Sequence, residues 1–418
     1  MNLPVVRACV VSMFLLLFSF SNSHAQSTIK TYDKQWKVVA DFVKKQLPKS
    51  ALVEVKKIYA LAKQENQDAQ VIKSLVYMID LQAENRDNND LLSIADVEKE
   101  LAVSKQPATS ILNSLLADLY WRYYNNYRWQ MYSRTQTVLF KKEDIATWGT
   151  EDFHRKISTL YLASIQEERL LQQTRLEPFN AIILKGNVRH LRPTLYDLLA
   201  DRALDYFKND ERDLRKPAYA FQIDQPEAFA TAEEFSRYRF PTRDSFSLQH
   251  KALLVYQKLL AFHLSDARPD ALLDADIQRI LFVRSKSVHP ERDKLYFSAL
   301  ERIANKYGNL PAASQAWFFM ASYHEEKANS YSPFGDTTHR FARLKARDIL
   351  ERILAQKDSS EGKTNSYNLL SQIKKQQLQF NVEKVNLPQQ PFRALVSYRN
   401  FTQVYFRLVK QDDKIKKE

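Results

Sequence analysis

The sequence Tyr-Trp-Arg-Tyr-Tyr-Asn-Asn-Tyr-Arg-Trp-Gln-Met-Tyr, residues 120–132, predicts a helix that is aromatic on two of its sides. When the helix is extended back to Leu112, leucine and tyrosine side chains recur at i, i+3 and i+4 spacing along one face. A different face carries Trp121, Tyr124, Arg128 and Tyr132. An ordinary surface helix is apolar along one stripe only. We therefore expect a central helix that other elements cover on both sides.

The same helix has a second interpretation, as a stacking surface for a sugar, a base or a peptide. Trp121 and Trp129 offer aromatic rings, and Arg122 and Arg128 offer cations that strengthen such contacts. We favour core packing, because aromatic residues at helical spacing are usually part of a core. These four residues remain the candidate binding surface.

The first 25 residues have the pattern of a secretory signal peptide. Arg7 precedes a short apolar run at residues 8–20, and small residues end the segment before the expected cleavage between Ala25 and Gln26. The run is shorter than the roughly 20 apolar residues that span a bilayer. We expect a soluble, exported protein, periplasmic or at the outer surface, with no transmembrane anchor after cleavage.

The only cysteine, Cys9, lies inside this signal. A lipoprotein cysteine follows the apolar run, whereas Cys9 precedes most of it, so we expect no lipid anchor. Removal of the signal leaves no thiol for disulfides, thiolate metal sites or nucleophilic catalysis. An exported chain of this size without disulfides needs one or more sizeable hydrophobic cores.

Composition favours a helical fold and disfavours nucleotide chemistry. The five glycines are scattered, whereas phosphate-binding loops and dinucleotide folds need clustered glycines. The 62 Lys and Arg residues exceed the 49 Asp and Glu residues. Nucleic acid is nevertheless a poor partner for an exported protein, and the charges are spread along polar helix faces.

Helix pairs joined by short polar turns predict a mainly α fold of the tetratricopeptide-like α-solenoid kind. Leu300-Glu301-Arg302-Ile303 recurs as Leu350-Glu351-Arg352-Ile353, with an aromatic helix expected over 311–330 between them. The proline- and aromatic-rich stretch Lys208–Arg243 is either a lid or a packed crossing between helical subdomains, and we favour the crossing.

The chain changes character near residue 380. Leu378–Val385, Ala394–Tyr398 and Gln403–Val409 are rich in alternating, β-branched or aromatic residues and predict three strands. Three strands cannot bury both faces of a sheet, so we expect an incomplete β-sandwich and a chain that is the front of something longer. The expected domains are a signal peptide at 1–25, a helical subdomain at 26–145, a second, tetratricopeptide-like subdomain at 146–379 and the start of a sandwich at 380–418.

Several stretches, in order, carry a resemblance to a known family. They are Tyr32–Trp36, Leu47–Leu52, Tyr120–Tyr124, Arg128-Trp129, Arg134-Thr135, Asp144–Trp148, Pro193–Leu199, Val385–Pro388 and Pro391–Tyr398. Through them the chain resembles the N-terminal region of the large, exported α2-macroglobulin-like proteins of Bacteroidetes-type bacteria.

The resemblance implies a helical N-terminal region followed by the first of a string of macroglobulin β-sandwiches. The family's long members are protease traps with a bait region and sometimes a reactive thioester. That thioester needs a cysteine, which the expected mature chain lacks. The trapping chemistry therefore transfers to no residue of this sequence. The chain is expected to be a truncated product, one part of a split gene or a free-standing helical module.

A search for catalytic and metal motifs in the sequence finds none. No His-Glu-x-x-His, no histidine pair at i, i+4 and no Gly-x-Ser-x-Gly occurs. His324-Glu325-Glu326 is half of a metal motif and is better explained as a solvated helix face. We therefore predict no catalytic, cofactor-binding or metal-binding residues.

Three functions remain open. The leading hypothesis is a non-enzymatic, exported interaction module that packs on macroglobulin domains or on a protease. The second is a glycan-binding helical protein that uses Trp121, Trp129 and Trp148. The third is an all-α polysaccharide lyase or hydrolase with tyrosine, histidine and arginine as acid and base.

Overall fold

The computed structural model describes the greater part of the chain between residues 32 and 407. The described ranges are 32–83, 86–131, 144–184, 186–210, 212, 218–308, 310–357, 359–387 and 390–407. The expected signal peptide and its cleavage site at Ala25 and Gln26 lie outside them. Over these ranges the chain is mainly helical with a short two-stranded antiparallel sheet, which confirms the predicted fold class.

The helices follow one another with few other elements between them. The α-helices are α1 (residues 32–44), α2 (Pro48–Gln64), α3 (Asp68–Gln82), α4 (Asn89–Val103), α5 (Ala108–Met131), α6 (Thr150–Ser164), α7 (Glu168–Gln173), α8 (Leu195–Phe207), α9 (Ala232–Arg237), α10 (Leu248–His263), α11 (Asp270–Lys286), α12 (Arg292–Tyr307), α13 (Ser314–Ala328), α14 (Ala342–Leu354) and α15 (Glu361–Lys374). Short 3-10 turns lie at Ile145–Thr147, Glu177–Phe179, Arg189–Leu191, Pro226–Phe229 and Pro311–Ala313.

Residue contacts divide the chain into two compact units. The first contains the described residues up to 222 together with 236–271, and the second contains 223–235 and the described residues from 272 onward. The stretch 208–243 therefore belongs to both units in turn. The predicted domain boundaries at 145/146 and 379/380 rest on changes in sequence character and stay predictions.

The first unit is built from neighbouring helix pairs around α5. Helix α2 packs on α3, and α5 packs on α4, α6 and α8. Local sequence sets the helix starts: Pro48 occupies the first turn of α2, where its missing N–H costs nothing. The Thr194 hydroxyl accepts a hydrogen bond from the Asp197 amide, while the Asp197 carboxylate accepts one from the Thr194 amide at the start of α8.

The second unit contains the repeated sequence. Leu300 and Ile303 on α12 are buried, as are Leu350 and Ile353 on α14. Helix α13 lies between these two helices in sequence and packs on both of them and on α15. The side chains Ala321, Ala346, Leu350, Leu370 and Ile373 form one core cluster of this unit. Helix α13 begins at Ser314, after a 3-10 turn at Pro311–Ala313, rather than at Pro311.

The sheet contains two strands instead of the three expected. Strand β1 (Gln377–Val382) pairs with β2 (Ala394–Arg399), and the described residues 403–407 of the third expected strand form no strand. Asn400, which has a φ of 60°, follows β2 and donates hydrogen bonds to the carbonyls of Ile373 and Lys375. The chain thus turns back toward α15 at the point where a further strand would have to begin.

Candidate interaction surface

The aromatic helix α5 is covered on more than one side, as expected. Leu112, Leu116 and Tyr123 are buried on one face, and Tyr124 is buried on another. Tyr123 and Tyr124 both contact the ring of Phe153 on α6. The ring of Tyr120 stacks on Trp148 at a centroid distance of 5.6 Å. Three of its aromatic rings, those of Tyr120, Tyr123 and Tyr124, are therefore part of the core of the first unit.

Trp121, which is half-buried, contacts buried aromatic side chains of the first unit. Its ring lies 5.2 Å from the Tyr206 ring and 5.8 Å from the His154 ring. The Tyr206 hydroxyl lies 2.6 Å from His154 Nδ1. Burial lowers the pKa of His154 to about 3, helped by the charge of Arg212, so this imidazole is neutral at physiological pH. His154 is 2 % exposed, so we interpret its contacts with Trp121 and Tyr206 as packing.

The remaining members of the candidate binding surface lie outside this core. Trp129 is 72 % exposed, and the Arg128 guanidinium lies over its ring at 5.2 Å. Arg122 is exposed, but no ring contact joins it to Trp129 within the described residues. The structure thus brings Arg128 and Trp129 together and places Trp121 against the aromatic side chains of the first unit instead.

The two-stranded sheet separates polar from apolar side chains. In its register Leu378 is opposite Tyr398, Phe380 is opposite Val396 and Val382 is opposite Ala394. Directly opposed residues point to the same face, and that face alternates along each strand. One face therefore carries only apolar or aromatic residues. The other carries Gln377, Gln379, Asn381, Leu395, Ser397 and Arg399.

This apolar sheet face is exposed. Leu378, Phe380 and Val382 are each between 44 % and 52 % exposed, and Tyr398 is also exposed. The ring of Phe406 approaches Phe380 at 6.0 Å and covers part of the face. An isolated hairpin is marginal in water, and contiguous exposed apolar residues mark interaction sites. Sheets commonly bury an apolar face of this kind against another layer of secondary structure.

Hydrogen bonds fix the hairpin to the helices of the second unit. Asn400 Nδ2 donates to the Ile373 carbonyl at 2.7 Å and to the Lys375 carbonyl at 2.9 Å. Arg399 also donates to the Ile373 carbonyl. Ile373 is part of the buried core of that unit. These contacts hold the apolar sheet face in a defined direction relative to α15, which lowers the entropic cost of docking.

The sequence predicts both strands but not the hydrogen bonds that tie them to α15. The alternation of Leu378, Phe380 and Val382 was visible and predicts a strand with one apolar face. The pairing of Asn400 with carbonyls more than twenty residues earlier leaves no periodic signal. An asparagine directly after a strand is a weak turn signal that could have been used.

A buried network in the first unit joins one histidine to two aspartates. His263, which is 2 % exposed, donates from Nε2 to Asp197 at 2.8 Å and from Nδ1 to Asp266 at 2.7 Å. In the protonated imidazolium both ring nitrogens donate, which suits a carboxylate oxygen on each side of the ring. Burial alone lowers the pKa of His263, but the hydrogen bonds and charges of Asp197 and Asp266 outweigh it and raise the pKa. The network pairs charges and stabilises the start of α8.

Metal binding and membrane crossing find no support among the described residues. No group of three or more histidine, cysteine or acidic side chains there is placed to hold a metal ion. No helix in the described ranges combines the length and apolar character needed to cross a bilayer.

Comparisons of the chain with protein-family models, with curated proteins and with solved structures found no match. The apolar sheet face and the helices of the second unit that hold it are therefore the basis of the functional proposal.

Proposed function

We propose that the chain is a non-enzymatic interaction module, the helical N-terminal part of an exported α2-macroglobulin-like protease inhibitor. One observation carries the proposal: the sheet formed by β1 and β2 leaves most of its apolar face exposed, and hydrogen bonds tie this sheet to α15. The resemblance of the sequence to the N-terminal region of that family names the partner, a macroglobulin-type β-sandwich.

The mechanism is packing of a second β layer on the apolar sheet face. Full burial of a Leu, Val or Phe side chain contributes about 1.5–3 kcal/mol, and the face residues are roughly half-exposed, so each would add about half of that. Several such residues offset part of the cost of association, which is about 4–15 kcal/mol. The helices of the second unit act as the support of the face, through α15.

The proposal includes export to the periplasm or the outer surface. The support is the sequence of residues 1–25, which has the charge, apolar run and small-residue end of a signal peptide. Fractionation of cells followed by N-terminal sequencing tests this point. A mature N-terminus at Gln26 is expected, and an intact Met1 in the cytoplasm would contradict it.

A capture experiment tests the proposed function. The purified chain is mixed with a protease, with and without the product of any adjacent open reading frame that encodes macroglobulin-type domains, and protease retained in the complex is measured. Capture should require both proteins and should be lost in Phe380→Glu but kept in Gln379→Glu, which adds the same charge on the polar face. The proposal would be contradicted if the purified chain does not bind macroglobulin domains and converts a substrate without any partner.

Glycan binding is the second candidate, and the exposure of Trp129 beside Arg128 favours it. Exposed aromatic rings stack on sugars, and a neighbouring cation orients acidic ones. Glycan-array binding that disappears in Trp129→Ala, with an unchanged helical circular dichroism spectrum, would support this function. An array without binding would retire it.

A further inference from the structure

Lys251, in the first turn of α10, belongs to a cluster of cations in the first unit. Its Nζ donates to the Ser245 carbonyl at 2.8 Å and lies 5.9 Å from the centre of the Phe246 ring. The guanidinium of Arg155, on α6, lies 5.1 Å from the centre of the same ring. Arg155 is exposed and forms no ion pair with any described residue. Two cations thus flank one aromatic ring.

Asp244 supplies the carboxylate nearest to this cluster among the described residues, and its oxygens are already occupied. Arg212 donates to both of them, at 3.0 and 2.9 Å. The amide of Phe246 donates to Oδ1 and that of Phe221 to Oδ2. Asp244 is 2 % exposed, so it cannot turn toward Lys251 without losing these hydrogen bonds. Arg212 therefore has its own counter-charge, whereas Lys251 shares it at a distance.

These surroundings favour the neutral amine of Lys251. Burial is the main cause that lowers the pKa of Lys251 to about 8, and the charge of Arg212 adds to it while that of Asp244 opposes it. Burial also lowers the pKa of the neighbouring His250, so this imidazole adds no charge at physiological pH. At a pKa of about 8, roughly a quarter of an amine is unprotonated near pH 7.5, against about one part in a thousand for an ordinary lysine. The unprotonated amine is the nucleophilic form.

Phe246 and Arg155 determine which molecules suit this amine. Lys251 is half-buried and Phe246 is 47 % exposed, so a ligand can reach both from solvent. A flat or aromatic group packs well against the exposed ring. A carboxylate or phosphate group matches the planar donors of the Arg155 guanidinium. The cluster therefore suits a molecule that joins an anionic group to a group that an amine attacks.

We propose that Lys251 is a modification site for anionic aldehydes, which its amine binds as an imine while Arg155 holds the anionic group beside Phe246. The neutral amine attacks the carbonyl carbon, and a C–N bond forms as one proton passes from nitrogen to oxygen. The hydroxyl then leaves as water with the second nitrogen proton, and a C=N bond remains. The step transfers no electrons and needs no oxidant or reductant. The inference does not rest on the proposed function.

Reductive labelling of the full chain with two aldehydes tests the proposal. The probes are 4-formylbenzoate and its uncharged analogue 4-formylbenzamide, with cyanoborohydride to trap the imine and peptide mapping by mass spectrometry to locate it. The acid should label Lys251 at least about tenfold faster than Lys258. Lys258 is the matched reference, because it lies on the same helix with its ammonium held by Glu168 at 2.6 Å. The acid should also label Lys251 about two- to fivefold faster than the amide does, as expected for an exposed ion pair.

Variants on α6 then locate the anionic group. Arg155→Gln should abolish the advantage of the acid over the amide at Lys251 and leave labelling by the amide unchanged. Lys156→Gln removes the adjacent cation, which faces Glu98 instead, and should keep the advantage. Because Arg155 is exposed, its variant should fold normally, and circular dichroism checks this.

Trace acetylation with acetic anhydride at a series of pH values measures the amine itself. The acetylation rate of Lys251 should level off above about pH 8, whereas that of an ordinary lysine rises to about pH 10.4. Equal labelling of Lys251 and Lys258, or an acetylation rate that rises to the ordinary limit, would overturn the proposal. So would equal labelling of Lys251 by acid and amide, or an advantage of the acid that survives in Arg155→Gln.

Discussion

At the residue scale, His263 makes stability depend on pH in a definite direction. Its folded-state pKa is raised above the ordinary value of 6.5. The contribution of this imidazolium is therefore complete below pH 6.5 and is lost as the pH rises through the folded-state pKa. We expect the urea midpoint of the wild type to fall over this alkaline window.

Two variants check that His263 causes the effect. In His263→Gln the fall of the urea midpoint above pH 6.5 should disappear. In His190→Gln, which changes an exposed histidine, the fall should remain. A midpoint that rises with pH above 6.5 in the wild type, or the same fall in His263→Gln, would contradict the assignment. His154 acts in a separate window, because its lowered pKa affects stability only below pH 6.5.

Arg279 should be one of the most costly positions to change. Arg279→Met leaves the buried Asp276 carboxylate without its cation and the Ala228 and Ala230 carbonyls without their donor. Breaking a buried pair in this way costs about 3–5 kcal/mol. Arg347→Met, which breaks an exposed contact with Asp348, should have a much smaller effect. Urea unfolding measures both, and equal effects would contradict the role given to Arg279.

At the element scale, Gly362 allows α15 to approach α13 closely. A Cβ atom at this position would lie 2.4 Å from backbone atoms of Ser314 and Gln315. Overpacking of this kind costs about 1–3 kcal/mol, more than the roughly 0.5–1 kcal/mol that alanine gains over glycine in a helix. Gly362→Ala should therefore lower the melting temperature. Gly335→Ala, whose Cβ meets only Ser332 at 3.4 Å, should not. A higher melting temperature in Gly362→Ala would show that α13 and α15 can move apart without cost.

The apolar sheet face can be tested without a partner. A dye such as anilinonaphthalene sulfonate fluoresces on exposed apolar surface. Phe380→Glu should reduce this fluorescence, and Gln379→Glu, the neighbouring residue on the polar face, should not. Because Phe380 is about half-exposed, neither variant should change the helical circular dichroism spectrum. Equal reductions in both variants would mean that the dye reports charge rather than the face.

Sequence patterns predicted the elements well and the long-range pairings poorly. The i, i+3, i+4 spacing from Leu112 onward predicted α5 and its buried faces, since periodicity is a local property. The pairing of His263 with Asp197 joins residues 66 positions apart, and Arg279 reaches a carbonyl 51 positions away. Such contacts depend on how helices pack. The prediction of a third strand was wrong for the described residues 403–407 for the same reason. A strand needs a pairing neighbour as well as residues with high β-propensity.

At the scale of the whole molecule, the chain does not divide into consecutive pieces. Residues 223–235 leave the first unit and provide the second with the carbonyls that Arg279 and Arg302 hold. The sheet lies beyond the last helix of the second unit and is tied to α15. The helices thus complete their own cores, whereas the sheet does not. This contrast supports the proposal that the chain acts as an interaction module.

Hydrogen exchange of the chain, alone and with a macroglobulin-type β-sandwich domain, tests this central claim most directly. A bound β layer should slow exchange of the amides in β1 and β2, residues 377–382 and 394–399, and the slowing should be absent in Phe380→Glu and present in Gln379→Glu. A complex that protects only the helices, or the absence of any complex, would contradict the proposal that the apolar sheet face is the docking site.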